Sequence, residues 1–290
     1  MAGAFLIIGL VSMYLYNTYI WNYEDSKFQF QIENKVYNLK NPSQRWDMPK
    51  ELKEISGLSF YNKNKLACIQ DEEGYFYIYD LNKKEIFSKD QFGKKGDYEA
   101  VEIISGRAYV LESKGDIYYF DVKRKGIGEV KKNKTDLSGK NDAEGLGYAK
   151  QDKELLIACK EDPGTKKIDL EKSRSIYVVE LEGMKFKKNP KYIIDGKSYS
   201  KMLEKKELSK KKHIPFKPSG LAIHPKNNYV FIISTVGKMM VILNPAGDIE
   251  ELIPLDPEIF WQPEGICFSP DGDLYISSEG KGKKGYILQF

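Results

Sequence analysis

A short signature recurs five times along the chain: an acidic or hydroxyl residue, then Gly or Ala, then Leu, Val or Ile. The copies are Ser56-Gly57-Leu58, Glu99-Ala100-Val101, Glu144-Gly145-Leu146, Ser219-Gly220-Leu221 and Glu264-Gly265-Ile266. They lie about 45 residues apart, except that the step from the third to the fourth is about 30 residues longer. Such a period, with short strands in each unit, is typical of a β-propeller. The chain is therefore predicted to fold as a ring of repeated blades.

Each unit contains up to four β-rich segments separated by turns, and four is the strand count of a propeller blade. The sequence thus predicts an all-β propeller with five four-stranded blades, and the long third unit leaves six blades as the alternative. The last unit has room for only three strands before Phe290. The alternating segment 28–32, which continues to 36–39, is predicted to supply the fourth strand and close the ring.

The composition fits one large β domain. The chain has 290 residues, 41% apolar and 13% aromatic, which is enough to bury an extensive core. Its 46 basic and 42 acidic residues give a formal net charge of +4 without a basic stripe, so nucleic-acid binding is not expected. Cys68, Cys159 and Cys267 lie in apolar segments, which predicts buried free thiols and disfavours a zinc site.

The N-terminus differs from the repeats. Residues 1–23 carry no charged side chain, and the stretch 2–21 has the length of a membrane-spanning helix. Its end is rich in Tyr and Trp, whose rings favour a membrane interface. We predict a membrane anchor over residues 1–27 and a propeller over 28–290, with a signal segment as the alternative to the anchor.

The extra length of the third unit is predicted to lie at about 162–174 and 195–217, in loops with a short helix near 199–209. The second loop is basic, which suits either a solvated surface loop or a lid and partner site.

Acidic residues recur at equivalent positions of the units: at the signature's first residue, two residues before it, and near the end of the returning strand. Because the ends of a hairpin meet, these positions are predicted to gather at one mouth of the channel. The predicted ligand-binding residues there are Glu54, Ser56, Asp71, Asp97, Asp142, Lys160 and Ser219, and the predicted metal ligands are Glu99, Glu112, Glu144, Glu264 and Glu279.

Gathering so many acids at one mouth is unfavourable, since two like charges about 6 Å apart repel by roughly 3 kcal/mol. Raised carboxyl pKa values, neighbouring lysines or a bound cation would offset this repulsion. With oxygen ligands only, the cation would be Ca²⁺ or Mg²⁺. Two alternatives are that the acids hold loops through backbone N–H groups, or that they are catalytic carboxylates.

Five segments together resemble one known family. They are Glu54-Ile-Ser-Gly-Leu58, Gln70-Asp-Glu-Glu-Gly74, Asp142-Ala-Glu-Gly-Leu146, Pro218-Ser-Gly-Leu-Ala-Ile-His-Pro225 and Gln262-Pro-Glu-Gly-Ile266. The family is the SdiA-regulated (YjiK-like) family of bacterial propellers, and the resemblance covers roughly residues 46–290. It implies a membrane-attached or periplasmic bacterial protein. The family is also similar to calcium-dependent β-propeller phytases, which implies a divalent metal in the acidic channel.

The expected function is that of a propeller anchored in the bacterial cell membrane by its N-terminal segment, with the propeller on the extracytoplasmic side. It would bind a divalent cation, Ca²⁺ above all, or a small ligand at its acidic mouth, as a sensor or a scaffold for a protein partner. The alternative is a calcium-dependent hydrolase of the phosphoesterase or lactonase type. In that case Glu99, Glu144, Glu264 and Glu279 would hold the metal.

Overall fold

The β-rich segments of the repeats form short antiparallel strands, as their β-branched and aromatic residues favour. The structure is a computed structural model that describes residues 26–164, 173–208, 214–280 and 282–290. Five four-stranded antiparallel sheets are found in these residues, and each sheet is one blade. The predicted all-β propeller is confirmed with five blades, and the described residues form no sixth.

The blades follow one another along the chain. Ahead of them lie β1 (Gln29–Ile32), β2 (Lys35–Asn38) and β3 (Gln44–Asp47). Blade 1 contains β4 (Ile55–Asn62), β5 (Lys65–Gln70), β6 (Tyr75–Asp80) and β7 (Glu85–Gln91). Blade 2 contains β8 (Tyr98–Ile104), β9 (Arg107–Glu112), β10 (Ile117–Asp121) and β11 (Lys131–Asn133). Blade 3 contains β12 (Ala143–Ala149), β13 (Glu154–Cys159), β14 (Arg174–Glu180) and β15 (Lys185–Ile194).

The helix α1 (Gly196–Lys205) follows blade 3. Blade 4 contains β16 (Gly220–Ile223), β17 (Val230–Ser234), β18 (Met239–Leu243) and β19 (Ile249–Pro254). Blade 5 contains β20 (Pro263–Phe268), β21 (Leu274–Ser278), β22 (Tyr286–Gln289) and, as its outer strand, β3. Single turns of 3₁₀-helix span Lys50–Leu52 and Glu182–Met184.

An N-terminal strand closes the ring, as predicted, but the segment predicted for this role was wrong. The closing strand is β3, which pairs antiparallel with β22. Trp46 is the buried residue of β3, and its indole N–H donates a hydrogen bond to the carbonyl oxygen of Leu81 in blade 1 at 2.9 Å. The closing strand therefore also joins the last blade to the first.

The segments 28–32 and 36–39 instead form the separate hairpin β1–β2. Phe30 and Tyr37 stack on each other with their ring centroids 4.7 Å apart. Phe30 contacts Phe231 of blade 4, and Tyr37 contacts Phe268 of blade 5. The alternating apolar residues of this segment thus bury a hairpin between two blades, which explains why its pattern resembled that of a blade strand.

The core of the protein lies between neighbouring blades. The described residues form five clusters of buried apolar side chains, and each cluster draws on two adjacent blades, including the pair of blade 5 and blade 1. Phe76 of blade 1 and Phe120 of blade 2, for example, meet edge to face at 5.3 Å. The three cysteines are buried and free, as predicted.

The innermost strands β4, β8, β12, β16 and β20 approach one another closely around the channel. A Cβ atom added at Gly57 would lie 2.8 Å from the backbone nitrogen of Val101, and one at Gly145 would lie 2.9 Å from that of Leu221. Both distances are too short for a real side chain. This packing explains why the second residue of the signature is Gly or Ala in every unit.

The insertion of the third unit contains α1, which begins and ends earlier than the helix predicted near 199–209. Asp195 caps it by accepting a hydrogen bond from the backbone N–H of Ser198 at 2.9 Å. Tyr199 and Leu203 are buried in the core between blades 3 and 4. Two parts of the predicted insertion, 165–172 and 209–213, and residues 1–25 of the predicted anchor lie outside the described residues. Among the residues that are described, no helix is both long and apolar enough to span a bilayer.

Candidate functional site: the acidic channel mouth

The first residue of each signature lies at the start of an inner strand, and the five residues divide into two groups by chemistry. The two serines, Ser56 and Ser219, are buried. Ser56 Oγ donates a hydrogen bond to the carbonyl oxygen of Tyr98 at 2.7 Å, and Ser219 Oγ donates one to Pro263 at 2.6 Å. Each acceptor belongs to the next inner strand, so these serines fasten adjacent blades.

The glutamates at the equivalent positions, Glu99, Glu144 and Glu264, influence one another electrostatically. Burial is the main cause that raises the pKa of Glu99 to about 11, followed by the charges of Glu144 and Asp97. Burial, then Glu144 and Glu279, hold the pKa of Glu264 well above its usual range. We call these glutamates, together with Glu279, the acidic mouth.

Glu144 has the closest positive charge. Its side chain is buried, and its Oε1 lies 2.5 Å from the Lys160 Nζ. The same amine lies 3.6 Å from Asp142. Burial raises the pKa of Glu144, while Lys160 opposes that rise, and the nearby carboxylates in turn raise the pKa of Lys160. Lys160 therefore compensates only part of the negative charge at the mouth.

A second group of acids lies where blade 5 meets blade 1. Burial, followed by the charges of Asp71 and Glu54, raises the pKa of Glu279 to about 7. Burial, Glu54 and Glu72 raise the pKa of Asp71 to about 6. The Oδ1 atom of Asp71 is buried and accepts no hydrogen bond from the described residues. Gln262 Nε2 donates to the Oε2 atom of Glu279 at 2.7 Å.

Two of the predicted residues, Glu112 and Asp97, contact side chains that do not belong to the acidic mouth. The Oε2 atom of Glu112 lies 3.0 Å from Lys132 Nζ, and that lysine also lies 2.8 Å from Asp116. The exposed Asp97 accepts a hydrogen bond from Ser113 Oγ at 2.6 Å. Glu112 is thus placed within an ion-paired group on blade 2, whereas Asp97 stays close enough to Glu99 to raise its pKa.

The prediction of metal ligands rests on residue type, since carboxylate oxygens are ligands that Ca²⁺ and Mg²⁺ accept. Among the described residues, no three or more His, Cys, Asp or Glu side chains are placed to hold a metal ion. The donor chemistry of the acidic mouth therefore fits such a cation, whereas a ready-made set of ligands is not seen there.

Two polar residues near the channel escaped the sequence prediction. Thr235 Oγ1 donates to the carbonyl oxygen of Pro263 at 2.6 Å and lies 3.2 Å from the Oε1 atom of Glu264. Glu102 lies three residues after Glu99, where the other units have Ser59, Gly147, Ala222 and Cys267. A charged residue at a repeat position otherwise occupied by small residues was the signal that would have revealed Glu102.

Comparison with known families agrees with this repeat structure. The family model of SdiA-regulated proteins matches residues 37–281. The chain belongs to the SdiA-regulated family. The matched range includes all five signatures and the acidic mouth, so the resemblance seen in the sequence is confirmed. No curated protein matches the chain by sequence.

Solved structures share the fold of this SdiA-regulated protein at low identity. The glutaminyl cyclase of Myxococcus xanthus has a TM-score of 0.57 and 12% identity, over 86% of this chain and 94% of that one. The PQQ-bound aldose sugar dehydrogenase of Streptomyces coelicolor has a TM-score of 0.51 and 10% identity, over 86% and 96%. At such identities the likeness shows the propeller fold alone.

Proposed function

We propose that this protein is a propeller anchored in the bacterial cell membrane, on the extracytoplasmic side, that binds a positively charged ligand at its acidic mouth. A divalent cation such as Ca²⁺ is the first candidate, and a small cationic molecule is the second. The proposal rests on one observation: Glu144 raises the pKa values of both Glu99 and Glu264, while the amine of Lys160, 2.5 Å from Glu144, compensates only part of this negative charge.

The physical argument concerns the protons that these glutamates hold. A carboxyl whose pKa lies above the ambient pH is neutral, and the mouth holds such carboxyls because their charged forms are buried beside one another. A bound cation would favour the charged forms and displace the protons. Affinity for the cation should therefore rise with pH.

The anchoring part of the proposal rests on the sequence of residues 1–27, with its uncharged, aromatic-rich stretch. The structural neighbours include enzymes, but their likeness extends to the fold alone.

Thermal unfolding with increasing Ca²⁺ tests the binding proposal. A ligand present at a hundred times its dissociation constant stabilises the folded protein by about 2.7 kcal/mol. We expect this stabilisation in the full chain and its loss in the double variant Glu99→Gln, Glu264→Gln. A matched control, Glu85→Gln with Glu258→Gln, removes two exposed carboxylates and should respond to Ca²⁺ like the parent. An equal response of both double variants would refute binding at the acidic mouth.

A further inference from the structure

The channel has a second opening, at the opposite end from the acidic mouth. A cavity of about 340 Å³ lies there between the far ends of the inner strands. It is lined by Ser59, Glu102, Ala222 and Cys267, which all stand three residues after the first residue of their signatures. We call it the rear cavity. Its volume lies within the range of about 300 to 1,000 Å³ that is usual for ligand pockets.

The space of the rear cavity arises from the repeat. At one repeat position, three units line the cavity with the small side chains of Ser59, Ala222 and Cys267. At the same position, blade 2 has a glutamate, Glu102. Residues three apart on these strands are about 10 Å apart along the channel, so Glu102 is separated from Glu99 and the acidic mouth. The rear cavity is therefore distinct from the site described above.

Glu102 forms no ion pair among the described residues, although Lys150 lines the same cavity. The side chain that lowers its pKa is the Ser59 hydroxyl. Burial raises the pKa of Glu102 to about 8, and the hydrogen bond with Ser59 opposes only part of that rise. A half-buried carboxyl facing a cavity without an ion pair is a costly arrangement that a cationic ligand would relieve.

Aromatic side chains complete the wall. Phe60, Tyr148 and Phe268 line the rear cavity beside Glu102. A ring face attracts a cation within about 6 Å, and sites that recognise quaternary ammonium groups use such rings. An inorganic divalent ion would gain nothing from these rings, since it prefers oxygen ligands. The wall therefore favours a ligand whose positive charge is spread over an apolar group.

We propose that the rear cavity is a binding site for a small organic ammonium ion, with Glu102 as its counter-ion and the surrounding rings as its apolar wall. This site is independent of the acidic mouth.

The other titratable groups around Glu102 come from several elements. Tyr109 on β9 is the cross-strand partner of Glu102, and burial raises its pKa. Cys267 lies on β20, Tyr148 lies on β12, Lys150 directly follows β12, and His224 follows β16. Burial holds the pKa of Cys267 well above its usual value and that of His224 below it, so the thiol stays protonated and the imidazole neutral near pH 7. The exposed Lys150 also lines the rear cavity and adds a positive charge there. Glu102 is thus the group expected to titrate between pH 6 and 9.

Isothermal titration of the full chain with choline, a small quaternary ammonium ion, tests the proposal. We expect one site per chain, and at least tenfold weaker binding of 3,3-dimethylbutan-1-ol, which has nearly the same shape without the charge. If only ionised Glu102 binds choline, a pKa of about 8 makes the affinity rise about 90-fold between pH 6 and pH 9. These two measurements need no variant.

Three variants locate the site. Glu102→Gln keeps the shape of the side chain and should weaken choline binding at least tenfold and remove its pH dependence. Glu85→Gln removes an exposed carboxylate and should bind choline like the parent. Weaker choline binding by Glu99→Gln would place the ligand at the acidic mouth and overturn the proposal. Absence of choline binding, equal binding of the uncharged alcohol, or unchanged binding by Glu102→Gln would each overturn the proposal.

Discussion

Replacement of Glu99 by glutamine tests whether the acidic mouth holds neutral, proton-bearing carboxyls. Glu99 has an ordinary pKa of 4.5 in the unfolded chain and a pKa of about 11 in the folded protein. Between these values the folded state holds a proton that the unfolded state has lost. A carboxyl with a raised pKa therefore makes the protein less stable as the pH rises above 4.5.

The loss of folding stability at pH 7 depends only on the pKa of Glu99 in the unfolded chain, because the carboxyl of the folded protein is still protonated at pH 7. About 2.5 pH units at 1.36 kcal/mol per unit give an upper bound of about 3.4 kcal/mol. Glutamine cannot ionise, so the variant does not lose this stability as the pH rises. The weaker hydrogen bonds of glutamine with Asp97 and Glu144 should lower the free energy of unfolding by about 1 kcal/mol. We expect Glu99→Gln to be about 2 kcal/mol more stable than the parent at pH 7.

At pH 4 the advantage nearly disappears, because Glu99 is then mostly protonated in both states. The variant should be as stable as the parent there, or less stable by about 1 kcal/mol. Urea unfolding at both pH values measures the difference, and the exposed control Glu85→Gln should change stability by less than about 0.5 kcal/mol at either. A variant that is less stable than the parent at both pH values would show that Glu99 is ionised and stabilises loops through hydrogen bonds.

Two other substitutions probe the contacts that shape the mouth and the ring. Lys160→Met removes the amine beside Glu144, and urea unfolding should show a loss of about 2 kcal/mol at pH 8 that shrinks at pH 5, where protonation of Glu144 relieves the unpaired charge. A loss of equal size at both pH values would contradict that reason. Trp46→Ala should cost about 3 to 5 kcal/mol through the lost packing and the lost bond to Leu81, whereas the exposed Gln44→Ala on the same strand should cost less than about 0.5 kcal/mol. A mild effect of Trp46→Ala would show that β3 is not essential for closing the ring.

The repeat signature was sufficient to predict the propeller because its residue types follow from the geometry of the ring. The small second residue is required where inner strands nearly touch, as at Gly57 and Gly145. The closing strand could not be found in the same way. β3 buries only Trp46 of its four residues, so it carries almost no alternation, whereas the hairpin β1–β2 alternates clearly because it packs between two blades.

The repeat brings Glu99, Glu144 and Glu264 to equivalent positions of their blades, and this much of the candidate site follows from the sequence. Side-chain partners are beyond such reasoning. The sequence does not show that Ser56 binds the next inner strand, or that Lys132 pairs with Glu112. These contacts depend on the register of the strands and on the directions of individual side chains, which a linear period does not contain.

Calorimetric titration of the full chain with Ca²⁺ at pH 7, in two buffers of different ionisation enthalpy, tests the central claim most directly. Binding at the acidic mouth should release at least about one proton per ion, because the cation displaces protons that the glutamates hold. The double variant Glu99→Gln, Glu264→Gln should neither bind Ca²⁺ nor release protons. Absence of calcium binding, or binding with no proton release and no sensitivity to the double substitution, would contradict a cation site at the acidic mouth.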